Sequence, residues 1–241
     1  MIYEEPYQIP FFLASQNNTV SLATLVNVLL AGSEHQLEKA GVGMHQVLGR
    51  GVGWVITQYE LEIAQMPKVE APITLGTEAI SYNKLMTYRD YWLRDAEGNR
   101  LATMHGAWVM MDLATRKLIP IIPELVARVE APFDSHVRRF ARLNKLTRID
   151  VDVPYRVRYF DIDANGHVNN VHYFEWMEDS LGADFLKQHE LTKMRIKYAR
   201  EVTYGSTPHA QAQLEGLVSR HQIVTDGVVN AEAELTWRPR S

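Results

Sequence analysis

Cysteine is missing from all 241 residues. That one absence removes disulfides, thiolate metal ligands and a thiol nucleophile together, and it is compatible with a reducing compartment. Long apolar runs are missing too, since none approaches the ~20 residues a membrane-spanning helix needs. The opening MIYEEPYQIP lacks the basic-then-apolar layout of a signal peptide, so a cytoplasmic protein with no membrane span is expected. A strong charge of either sign is absent: 25 Lys+Arg against 29 Asp+Glu give a net charge of −4, which offers no global attraction to nucleic acid. Gly49-Arg50-Gly51-Val52-Gly53 has neither the Lys-Ser/Thr ending of a phosphate loop nor a dinucleotide fingerprint, and no His-Glu-x-x-His occurs. His167 and His172 are five apart, which on a helix separates them by about 140°. Neither a cofactor nor a metal is expected.

What the chain does hold is concentrated in RYFDIDANGHVNNVHYFEW, Arg158 to Trp176. Asp163, Asn165 and His167 alternate there, and in an extended segment such residues project to one side. A carboxylate, an amide and an imidazole on one surface are the parts of an acid/base site. The competing reading is turn and cap chemistry, because Asp-x-Asn-Gly side chains readily satisfy nearby backbone N–H groups. Val171, Phe174, Met177, Leu181 and Phe185 follow at spacings of three and four, which predicts a helix whose first turn offers free N–H donors. Asn169 and Asn170 fit first-turn and packing positions better than reactant roles.

Sliding the sequence against itself exposes a repeat. Pro6-Tyr7 through Ser15 lies over Pro154-Tyr155 through Asp163 without a gap, and the same offset pairs Asn17 with Asn165 and Thr19 with His167. Further on, Gln65 is expected opposite Glu201 and Pro72 opposite Pro208. Each half reads as one strand, one helix and then long strands. A first helix is expected from about Val20 to Ala40, capped by Asn18 or Thr19. A strand is expected over Val151 to Tyr159, and a hairpin joins Met86–Arg94 to Leu101–Met111 through the turn Asp95–Asn99. A helix laid on a long antiparallel sheet, twice over, is an α+β layer architecture.

The run Asp163-x-Asn165-x-His167 followed by Val168-Asn169-Asn170, with Tyr173 and Trp176 on the helix, resembles the acyl-acyl carrier protein thioesterases of fatty acid synthesis. Lys197-Tyr198-Ala199-Arg200-Glu201 resembles the Tyr-Arg-Arg-Glu run that carries the fourth catalytic group of the plant members, so Glu201 is its match. Plant members usually follow that Glu with a Cys, where this chain has Val202. Weaker resemblances in the first half include Trp54 through Tyr59, the Pro67–Ile73 bend, and Trp108 through Asp112.

The resemblance implies a tandem hotdog fold: a non-catalytic N-terminal hotdog over 1–125 that helps build the acyl pocket, a basic linker over 126–150, and a catalytic C-terminal hotdog over 151–241. It implies hydrolysis of fatty acyl-acyl carrier protein by activated water, with Asp163, Asn165, His167 and Glu201 as the catalytic set and no cofactor. Glu201 is the favoured base, with Asp163 orienting His167 or Asn165; Asp163 as base or nucleophile is the alternative. An acyl-CoA thioesterase and a silent acyl-binding hotdog protein are the rival functions. The partner expected is acyl carrier protein bearing a fatty acyl thioester, with no nucleic acid, and a homodimer is kept as an assembly to test. Arg138, Arg139, Arg142, Lys145 and Arg148, several at helical spacing, offer an electrostatic docking stripe for that acidic partner or simply a solvated face. Candidates for the acyl pocket are Trp54, Ile56, Met86, Leu25, Val28 and Leu29, although bulky residues on such elements are more often core.

Overall fold

The computed structural model describes residues 1–240 and separates into two compact units, 1–140 and 141–241. In the first unit, β1 (Ile2–Gln8) leads through a 3₁₀ turn (Phe11–Leu13) to α1 (Leu22–Lys39) and the short α2 (Met44–Leu48). Strands β2 (Val52–Ile63), β3 (Pro72–Tyr82), β4 (Met86–Arg94), β5 (Arg100–Asp112) and β6 (Lys117–Ile119) follow, then α3 (Pro123–Ala127). The second unit holds β7 (Val151–Pro154), a 3₁₀ turn (Tyr159–Asp161), α4 (Asn170–Asp179), α5 (Ala183–Gln188), β8 (His189–Tyr198), β9 (His209–Glu215), β10 (Val218–Thr225) and β11 (Val228–Pro239). Among the described residues no helix is long and apolar enough to cross a membrane.

The two units repeat one topology. Antiparallel strands run in the order β1-β3-β4-β5-β2 in the first and β7-β9-β10-β11-β8 in the second, with β6 appended to β5. The 3₁₀ turns are 148 residues apart, as are the first residues of α1 and α4. Helix α1 packs on β3 and β4, and α4 on β9 and β10. The sheet-facing stripe of α1 includes Leu22, Leu25, Val26 and Leu29, each no more than 1% exposed. Such burial stabilises by about 1.5–3 kcal/mol per large apolar side chain, more than helix propensity supplies to one isolated segment.

Later in each unit the offset becomes 135. Ala64 N and Gln65 N donate to Leu101 O as Ala199 N and Arg200 N donate to Asn230 O (199 − 64 = 135). The counterpart of Glu201 is therefore Met66 rather than Gln65, because the two units join their helix to the following strand through connections of unequal length.

Three local expectations also change. The cap of α1 is Ser21, whose Oγ accepts from Thr24 N at 3.2 Å, while Asn18 sits in the preceding turn with φ 56°. The apolar spacing from Val171 to Phe185 is shared by two helices, since Gly182 adopts φ 83° and separates α4 from α5. Strand β7 stops at Pro154, well before Tyr159. The expected hairpin forms as read, closed by Gly98 N donating to Asp95 O at 3.1 Å.

Candidate active site

Asp163, Asn165 and His167 do not share the face of an extended strand. They occupy a tight loop between the 3₁₀ turn and α4, bracketed by the bridge Ile162–Val168. Asp163 N donates to His167 O at 2.9 Å and Gly166 N to Asp163 O at 3.0 Å. Asp163 Oδ1 accepts from Asn165 N at 2.8 Å, so turn chemistry and a candidate reactive carboxylate coincide in one side chain. Gly166 has φ 84°, a conformation L side chains rarely adopt.

The loop is pinned from both sides. Asp161, 1% exposed, accepts from its own turn through Arg158 N at 2.8 Å and Arg158 Nε at 2.9 Å. Burial alone would raise its pKa, but the bonds and charge of Arg158, with His172 beyond, hold it below the ordinary value. Asp161 O accepts from Asn169 N at 2.8 Å, and Asn169 Oδ1 caps α4 by accepting from Val171 N at 3.2 Å. Asn169 is thus the first-turn residue expected of it.

Glu201 arrives from the far end of β8. Its Oε1 lies 3.2 Å from His167 Nε2, and His167 Nδ1 lies 3.8 Å from Asp163 Oδ1. His167 therefore stands between two carboxylates, its side chain 13% exposed against 35% for Glu201 and 21% for Asp163. His167 Nε2 is fully buried, and its approach to Glu201 lacks hydrogen-bond alignment. The half-buried Asn165 amide makes no hydrogen bond among the described residues, which leaves its donors for a ligand.

The chain around Glu201 is fixed by buried bonds. Val202 N donates to Tyr173 Oη at 3.1 Å, Val168 N donates to Val202 O at 2.9 Å, and Asn230 Nδ2 donates to Glu201 O at 3.2 Å. Burial pushes the Tyr173 phenol well up, opposed by the bond from Val202 and helped by the charges of Glu201 and Asp163, so the hydroxyl stays neutral. Tyr198 packs edge-on against Tyr173 at 5.3 Å and donates to Asn170 O at 3.0 Å. Sequence reasoning missed Asp161 and Asn230 as positioning residues. Asp161 had the signal of a carboxylate three residues after an Arg, whereas Asn230 is distant in sequence and nothing local marks it.

Among the described residues no group of three His, Cys, Asp or Glu side chains is placed to hold a metal ion. His172 is engaged elsewhere, 2.7 Å from Glu175 and 3.8 Å from Asp161. Of the docking-stripe residues, Arg138 bonds Asp90 at 2.8 Å and Arg148 bonds Asp150 at 2.8 Å. The stretch that carries them is irregular chain rather than the helix their spacing suggested.

Comparison with known proteins finds relatives over nearly the whole chain. The model of the acyl-ACP thioesterase N-terminal domain matches residues 1–129, and that of the C-terminal domain matches residues 144–239. The chain belongs to the acyl-ACP thioesterase family. A palmitoyl-acyl carrier protein thioesterase of Gossypium hirsutum chloroplasts is 25% identical over 271 residues, covering 100% of this chain; the chain spans 64% of that relative's length. A Lactobacillus plantarum structure provisionally named an oleoyl thioesterase is 35% identical with a TM-score of 0.94, covering 100% of this chain and 97% of its own. The 12:0-ACP thioesterase of Umbellularia californica, 19% identical, superposes with a TM-score of 0.84 over 99% of this chain and 98% of its own. The fold of this acyl-ACP thioesterase family member is the tandem hotdog, a helix on a long antiparallel sheet in each half.

The first unit of this family member also holds a half-open cavity of about 190 Å³. Of the six residues considered for an acyl pocket, Trp54 lines it. Leu25, Val28, Leu29 and Ile56 are buried core, and half-buried Met86 lies outside the lining, its Sδ 3.5 Å from Tyr88 Oη.

Proposed function

We propose that this protein hydrolyses fatty acyl-acyl carrier protein to free fatty acid and carrier thiol. The observation that carries the reading is the meeting of His167 with Asp163 and Glu201, contributed by a loop and a strand end remote from it in sequence. Glu201 takes a proton from water as its oxygen attacks the thioester carbonyl. Asn165 donates to the carbonyl oxygen as charge develops there, and His167, oriented by Asp163, holds the water. The tetrahedral intermediate then collapses, the carbon–sulfur bond breaks, and the thiolate leaves with the proton. A general base of this kind contributes about 10²- to 10⁴-fold. A donor to the oxyanion is worth roughly 2.7–4 kcal/mol.

In this reading residues 151–241 perform the chemistry and the first hotdog receives the acyl chain, in a cytoplasmic protein. The test is the same acyl group offered on acyl carrier protein and on CoA. A large preference for the carrier supports the reading, and a large preference for CoA replaces it with an acyl-CoA thioesterase. Tight retention of acyl ligand without turnover of either would make the protein a binding module.

A further inference from the structure

The cavity of the first unit lies among α1, α3 and strands β2 to β5. Its walls include Leu30, Leu37, Trp54, Trp108 and Val126, and its lining also includes Arg89. Arg89 is 7% exposed. Its Nη1 donates to Gln36 Oε1 at 2.5 Å and to Thr77 Oγ1 at 3.1 Å, two neutral acceptors. Among the described residues no carboxylate lies within ion-pair distance of it, and Nε and Nη2 have no acceptor. A guanidinium carries five N–H donors in a fixed fork, so most of this one's capacity is unspent beside a space whose walls are mostly hydrocarbon and aromatic rings. The charge of Glu34 favours the cation only from beyond ion-pair distance, so its burial remains costly, and an apolar chain laid against it would leave the donors without partners.

Glu34 also lines the cavity, with Oε1 accepting from Met44 N at 2.6 Å. Burial raises its pKa, with Glu38 nearby adding to the shift. A second carboxylate entering the cavity would meet this acidic neighbour, whereas a neutral oxygen would not. Ser33 and Ser81 in the lining extend the polar side of the space.

We infer that Arg89 is a specificity-determining residue that selects acyl chains bearing a neutral acceptor oxygen, a hydroxyl or oxo group, over plain chains of the same carbon number. The inference rests on the reading that the protein is a thioesterase whose first hotdog receives the acyl chain. A site built to hydrogen-bond a substrate oxygen discriminates strongly against the analogue that lacks it, because its own buried donors are then left unpaired.

The test compares kcat/KM for acyl carrier thioesters of equal carbon number with and without a chain hydroxyl or oxo group. The expected result is at least about a tenfold preference for the oxygenated chain in the native protein. Arg89→Met should reverse it by raising kcat/KM on the plain chain, and Arg89→Lys should keep part of it. Binding of free hydroxy and plain fatty acids, followed by quenching of Trp54 and Trp108 fluorescence, reads the same selectivity in the unaltered protein and needs neither turnover nor a folded variant. Equal or plain-chain preference in the native protein overturns the inference, as does an unchanged ratio in folded Arg89→Met. If no thioester is hydrolysed at all, the thioesterase reading fails, and the fluorescence comparison still decides whether the cavity selects oxygen.

Discussion

Turnover should depend on three side chains that stability hardly needs, since each keeps part of its surface in solvent. Asp163→Asn, His167→Ala and Glu201→Gln are each expected to lower kcat by about 10²-fold or more with unchanged melting temperature. Asp163→Asn is the most discriminating, because an amide oxygen can still accept from Asn165 N and preserve the turn while the charge is removed. Near-normal kcat in folded Glu201→Gln would take that residue out of the base role. A different residue contributes to the loss of stability in acid. His221 is fully buried on β10, with Nε2 2.8 Å from Ser219 Oγ, and Ser219 in turn accepts from Trp237 Nε1 at 2.8 Å. Burial pushes its imidazole down to about 3, whereas an unfolded His titrates near 6.5. On acidification the unfolded chain takes up the proton first. The contribution is therefore full above pH about 6.5 and is lost, at about 1.4 kcal/mol per pH unit, as pH falls toward 3. Urea unfolding at several pH values should show this slope flattened in His221→Gln.

At the scale of elements, the start of α4 and the end of β8 form one mechanical unit through Tyr173. Tyr173→Phe deletes the acceptor of buried Val202 N and is expected to destabilise by about 1–3 kcal/mol. It should also lower kcat while KM changes little, because Glu201 is displaced rather than removed; a melt with steady-state kinetics on one preparation measures both. The apolar spacing of α1 and the turn composition of Asp95–Asn99 were legible in the sequence, since each is a local signal read over a few residues. The shape of the Asp163–His167 loop was not. Alternation of Asp163, Asn165 and His167 suggested an extended face, yet the backbone bond from Asp163 N to His167 O closes a turn, and alternation cannot distinguish the two. His167 and Asp163 still approach each other, because a turn and a strand can both bring i and i+4 side chains to a common space. The break at Gly182 was equally hidden, since helical spacing persists across it.

For the whole molecule, the proposed function divides chemistry and selectivity between two units of matching strand order. Exchanging the first unit for that of a relative with another chain-length preference should move the optimum while the same four residues remain essential. Two methylenes at about 0.8 kcal/mol each correspond to roughly an order of magnitude in preference. An active chimera that kept the original profile would place the acyl pocket in the second unit.

The repeat has one more consequence. The Ser15–Thr19 loop has the same backbone wiring as Asp163–His167, with Ser15 N donating to Thr19 O at 2.6 Å and Asn18 N to Ser15 O at 3.1 Å. Its side chains touch only weakly, at 3.4 Å between Ser15 Oγ and Thr19 Oγ1. Robustness to substitution should therefore differ between two loops of the same shape. Saturation mutagenesis scored by activity should find Ser15 and Thr19 permissive and Asp163 and His167 intolerant. Asn18, at φ 56°, and Gly166 should both resist β-branched residues, for the backbone's sake alone.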